Sequence, residues 1–123
     1  LFQDIAALHD SLVICIFITV QGMSLTETTK LFNYATGLNM TPQELMKVGE
    51  RIVNLQRQIN VEDGIDIEDD GLPAKMFEPG KKGFRKNQIP EPFEETLLKF
   101  YELRGWDVFG KPTNKKLSDL GIK

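Results

Sequence analysis

The sequence contains one cysteine, Cys15, and one histidine, His9, among 123 residues. A single cysteine excludes an internal disulfide, and neither an all-protein zinc site nor a self-contained iron–sulfur site can be built around one thiolate. Such usage suits a reducing, cytoplasmic setting. A basic excess is missing as well: 15 lysines and arginines stand against 18 acids, giving a formal net charge of -3. No overall field therefore favours phosphate backbones or anionic membranes. The longest apolar run, Leu12 to Val20, is well short of the roughly 20 residues that cross a bilayer. The leader before it carries Asp4 and Asp10, where a signal peptide would need basic residues. Nucleic acid, membrane and secretion are not expected, and a start at Leu1 without methionine suits a fragment.

At 14.0 kDa and 41% hydrophobic residues, the chain can bury one small core, so a single domain over 1–123 is the expectation. Ile5, Leu8, Leu12, Cys15 and Ile16 recur at helical spacing, which predicts a helix from about Asp4 to Cys15 against the β-branched density of Val13 to Val20. Ser24 or Thr26 can cap a second helix carrying Leu31, Phe32 and Ala35, stopped by Gly37. Thr41, Pro42 and Glu44 form a capping box for a third. Along it Leu45, Val48, Ile52, Leu55 and Ile59 make an inward stripe ending near Asn60, with Lys47, Glu50, Arg57 and Gln58 left wet.

Val61 to Pro92 hold four of the six prolines and no sustained period, and read as one long irregular loop. Its first half, Glu62 to Asp70, has six acids, and Lys75 to Lys86 has five bases. Phe93, Leu97, Phe100, Tyr101 and Leu103 support a helix that Gly105 ends, and Thr113 caps a last one with Leu117 and Leu120 inward and Gly121 after it. The fold class is mostly α: a small helical domain of four to five helices with one long irregular loop.

Each chemically capable residue also has a plain structural reading. A lone cysteine on a helical apolar stripe is first a small buried hydrophobe. His9 and Asp10 are chain neighbours on a helix and point apart, so they form no dyad, and His9 reads as solvated or structural. The acidic stretch places Ile65 and Ile67 where a calcium loop needs oxygen ligands. Lys81, Lys82, Phe84, Arg85 and Lys86 read as a solvated loop, and Trp106 as cover for a core edge.

Two segments carry the reading further. The first is Gly49-Glu50-Arg51-Ile52-Val53-Asn54-Leu55-Gln56-Arg57, continuing through Asn60 and Gly64 to Asp69-Asp70-Gly71-Leu72-Pro73. The second is Tyr101-Glu102-Leu103-Arg104-Gly105-Trp106-Asp107, with Gly110, Pro112-Thr113, Lys116-Leu117 and Leu120-Gly121 following. Together they resemble the C-terminal end of the tungsten-containing aldehyde:ferredoxin oxidoreductase family. That family has an upstream motif, Asp-Xaa-Xaa-Gly-Leu-Cys, which Asp10-Ser11-Leu12-Val13-Ile14-Cys15 resembles with the Asp-to-Cys spacing kept.

The resemblance implies that Asp10, Ile14 and Cys15 bind cofactor, Asp10 as a pterin-binding carboxylate and Cys15 as the fourth ligand of a 4Fe-4S cluster. A carboxylate suits the N–H donors of a pterin edge, and iron–sulfur clusters require thiolates. The implied parent enzyme oxidises aldehydes to carboxylic acids at a tungsten-pterin and passes electrons to ferredoxin. This piece alone would be inactive, would hold neither cofactor, would pair with the rest of that enzyme, and would be prone to self-association. Val13 and Ile14 stand where the family has Gly-Leu, and valine lacks glycine's backbone freedom. That departure suits an alternative: a non-catalytic helical interaction module derived from the family.

Overall fold

The structure, a computed structural model, describes residues 2–83, 86, 88 and 92–122, without the side chains of Ile16 and Thr19. Phe84 and Arg85 of the basic stretch, and the Ile16 side chain of the apolar stripe, lie outside the described residues. Helices α1 (Phe2–Ser11), α2 (Ile16–Val20), α3 (Leu25–Thr36), α4 (Pro42–Glu62), α5 (Phe93–Arg104) and α6 (Asn114–Leu120) follow in order, with a 3-10 turn at Ala74–Phe77. Five of the helices have seven residues or more, α2 is a single five-residue turn, and no strand occurs among the described residues. The mostly helical class and, over its described residues, the long irregular segment after α4 are as expected from the sequence. Backbone contacts divide the chain into two compact units, Leu1–Arg57 with Leu117–Lys123, and Gln58–Lys116.

In the first unit, α3 and α4 start where local chemistry dictates. The Ser24 amide donates to Glu27 Oε2 at 2.8 Å while the Glu27 amide donates to Ser24 Oγ at 3.2 Å. Thr41 and Glu44 repeat the arrangement at 2.7 and 3.2 Å. Two otherwise orphaned N–H groups are thereby satisfied at each start. Both carboxyls titrate below their ordinary 4.5, first because a backbone N–H donates to each and then through the cap hydroxyl. Gly37 stops α3 in the left-handed region at φ 74°. Leu8, Leu45 and Leu120 form the buried apolar centre, and Arg51 Nε donates to the Leu120 carbonyl at 2.7 Å, tying down the end of α6.

The inward stripe of α4 differs from the expected one. Leu45 is buried, but the next buried positions are Gly49, Asn54 and Arg57, while Leu55 and Ile59 are exposed. Arg57, expected to be wet, is only 7% exposed. The missing side chain of Gly49 lets the α1 backbone lie against α4 on the Leu45 side, whereas Asn54 and Arg57 stand roughly 140° and 80° round the helix from Gly49, so α4 is covered on more than its apolar stripe. On α3, similarly, Thr28 and Thr29 are buried rather than Leu31.

In the second unit, the Gly64 amide closes α4 onto Val61 and the Ile65 amide reaches the Asn60 carbonyl at 2.9 Å. The acids that follow satisfy local backbone: Asp69 accepts from the Asp66 amide and Asp66 from the Glu68 amide. Tyr101, buried on α5, donates to the Asp70 carboxylate. Trp106 packs edge-on to Phe100 with centroids 5.6 Å apart, and the Arg104 guanidinium lies over Phe100 at 5.6 Å. Trp106 thus covers the core edge, as its place after the Gly105 helix stop led us to expect.

Candidate functional site

The segment from His9 to Cys15 is built by the way α1 ends. The helix stops at Ser11, not at Cys15 as the apolar period predicts. The Val13 amide donates to the Asp10 carbonyl at 3.1 Å and the Ile14 amide to the His9 carbonyl at 2.9 Å. That pair of bonds is a Schellman motif, in which the residue between them adopts the left-handed conformation. Here that residue is Val13 at φ 58°, the one non-glycine with positive φ among the described residues. The β-branched run thus breaks the helix and restarts as α2, with the Ile18 amide donating to the Cys15 carbonyl at 3.0 Å.

The turn places the sequence candidates as follows. Asp10, on the last turn of α1, is exposed. Ile14 is half-buried. Cys15 is a free, exposed thiol, which corrects its reading as a buried hydrophobe: the helix that would have carried it inward has already ended. Val13, which lies between Asp10 and Cys15 in the chain, is 92% exposed, and Phe17, Ile18 and Val20 after it are exposed too. His9 is buried, at 1% exposure, and its Nε2 lies 3.0 Å from Thr28 Oγ1 of α3. Thr28 Oγ1 also donates to the Ser24 carbonyl at 3.2 Å. A threonine has one hydroxyl hydrogen, so with it on Ser24 the His9 Nε2–H is the donor to Thr28. Sequence reasoning missed this bond because the partner is 19 residues away on another helix.

One short turn thus carries an exposed carboxyl, Asp10, and an exposed thiol, Cys15. Among the described residues no group of three or more His, Cys, Asp or Glu side chains could hold a metal ion. None of their helices is long and apolar enough to cross a membrane.

Comparison with known proteins covers the whole segment. The family described as aldehyde ferredoxin oxidoreductase, domains 2 and 3, matches residues 1–122. A tungsten-containing aldehyde ferredoxin oxidoreductase of Pyrococcus furiosus is 40% identical over 99% of this chain and 20% of its own length. The WOR-like subunit of an aliphatic sulfonate oxidoreductase from the same organism is 33% identical over 96% of this chain and 20% of its own. Among solved structures, the active-site complex BamBC of benzoyl coenzyme A reductase with 1,5-dienoyl-CoA superposes at a TM-score of 0.67. It is 30% identical and covers 81% of this chain and 14% of that one. The chain therefore spans about a fifth of the length of the curated relatives it matches.

Proposed function

Because this chain belongs to the aldehyde ferredoxin oxidoreductase family over nearly all its residues, we propose that it is the C-terminal part of a tungsten-pterin, iron–sulfur oxidoreductase and forms one wall of its cofactor site. The observation that carries the reading is the Asp10–Cys15 turn, which presents a carboxylate and a thiol outward from an otherwise anchored helix end. When bound, the cofactors supply the oxidation of the substrate and the outward path for its electrons. Asp10 accepts hydrogen bonds from pterin N–H groups, Ile14 backs the turn with an apolar side chain, and Cys15 gives one thiolate of the four a 4Fe-4S cluster requires. The remaining ligands come from the rest of the parent enzyme. Aldehyde as substrate and ferredoxin as acceptor follow the name of the first relative, and a cytoplasmic location follows the cysteine usage.

Exposed apolar side chains support a missing partner over this site: Val13, Phe17 and Val20 are 92%, 71% and 72% exposed. A single domain over 1–123 remains part of the proposal.

Metal analysis of the full-length protein tests the reading. Cys15→Ala is expected to lose iron while keeping tungsten, whereas Asp10→Asn is expected to keep iron and weaken pterin retention. Full iron in Cys15→Ala would leave the site without support. The alternative, a non-catalytic helical module, is favoured by one observation, Val13 at the turn's glycine position. It would leave both metals absent from the unmodified protein.

A further inference from the structure

We propose that His9 is a positioning residue for the Asp10–Cys15 turn, held by its bond to Thr28 so that a turn closed by valine keeps the backbone angle that favours glycine. The inference deepens the proposed function and rests on it for its importance, though not for its test.

Among the described residues three other helix ends close with the same two backbone bonds, and each has glycine in the left-handed position: Gly64, Gly105 and Gly121. At α1 the same position is Val13. A branched side chain crowds the adjacent carbonyl in that conformation, so the turn carries strain that glycine would not. Strained residues persist where the surroundings over-determine them. The two backbone bonds alone are the same as at the glycine turns, so they do not distinguish this one.

His9 supplies an additional restraint, because it acts at both ends of the problem. Its carbonyl accepts the Ile14 amide at 2.9 Å, which closes the turn. Its ring bonds Thr28, which is fully buried on α3, at 3.0 Å. Leu8, immediately before it, is also fully buried and keeps α1 from rotating. Without the His9–Thr28 bond, Val13 can relax to an extended backbone, and that change moves Ile14 and Cys15 relative to Asp10.

Amide hydrogen exchange in the full-length polypeptide tests the clamp. Thr28→Val keeps side-chain volume and removes the bond, and His9→Ala removes the ring. Each should speed exchange at Ile14 by roughly 5- to 30-fold, the factor expected for losing an interaction that offsets one strained residue. Amides of Gly49 to Asn54 in α4 should keep their rates. His9→Gln, which retains an N–H donor, should lose least, and adding Val13→Gly should return Ile14 exchange to near its original rate because the strain is gone. Unchanged exchange at Ile14, equal acceleration in α4, or no suppression by Val13→Gly would each overturn the proposal. The cofactor reading fails separately, on iron retained by Cys15→Ala, whatever the exchange rates are.

Discussion

Gly49 of α4 lies so close to Asp4 of α1 that a Cβ built on it would stand 2.1 Å from the Asp4 carbonyl oxygen and 3.2 Å from Leu8 Cβ. The obstruction is backbone and cannot swing aside. In an open helix Gly→Ala would stabilise by roughly 1 kcal/mol through propensity. Here the helices must separate, so Gly49→Ala should destabilise by at least the 1–3 kcal/mol typical of overpacking. Urea denaturation decides the sign, and a stabilised Gly49→Ala variant would mean that α1 does not lie against α4.

The start of α4 gives a pH-dependent test. Thr41→Ala should cost on the order of 1 kcal/mol by unsatisfying an N-terminal amide. The Glu44 carboxyl titrates below its ordinary 4.5 in the folded chain, so the stability it brings is present above that value and is lost as pH falls through the lower, folded one. Glu44→Gln and Thr41→Ala should both lose that part of the acid dependence. Stability curves that run parallel to the parent between neutrality and pH 3 to 4 would contradict it.

Uncovered apolar surface should make the 123-residue chain self-associate when made alone. Phe17 is 71% exposed and Val20 72%, beside the exposed Val13 and Ile18. Exposed patches beyond a few hundred Å² mark interaction surfaces. Sedimentation should show association that Phe17→Lys with Val20→Lys reduces. A monomer at high concentration would indicate that no missing partner is needed over this run.

The same chain, made alone and treated with iron and sulfide under reducing conditions, should take up no stoichiometric cluster, since Cys15 is its one cysteine. Iron quantification and the visible spectrum read the outcome. Stoichiometric iron in a monomeric sample would contradict the need for ligands from the parent.

Local signals carried most of the fold. Thr41 with Glu44 and the glycines at 37, 105 and 121 mark helix ends through chemistry confined to a few residues, and those ends stand where the sequence puts them, while of the two caps open to α3, Ser24 and Thr26, the structure uses Ser24 with Glu27. Long-range contacts were not legible. Periodicity at Leu55 and Ile59 pointed inward, yet Asn54 and Arg57 are buried, because what covers each side of α4 is decided by chain segments distant in the sequence rather than by its own apolar stripe. At the site, the spacing of Asp10 and Cys15 was readable and their setting was not. A valine in a left-handed turn defeats a rule based on glycine, and only the fold brings Thr28 to His9.

Anomalous diffraction at the iron edge, from crystals of the full-length protein, addresses the central claim directly. The expected result is iron density within bonding distance of Cys15 Sγ, with three further thiolates from outside this segment and the pterin against Asp10. A complete cluster held by four cysteines elsewhere, with Cys15 Sγ unbonded, would contradict it.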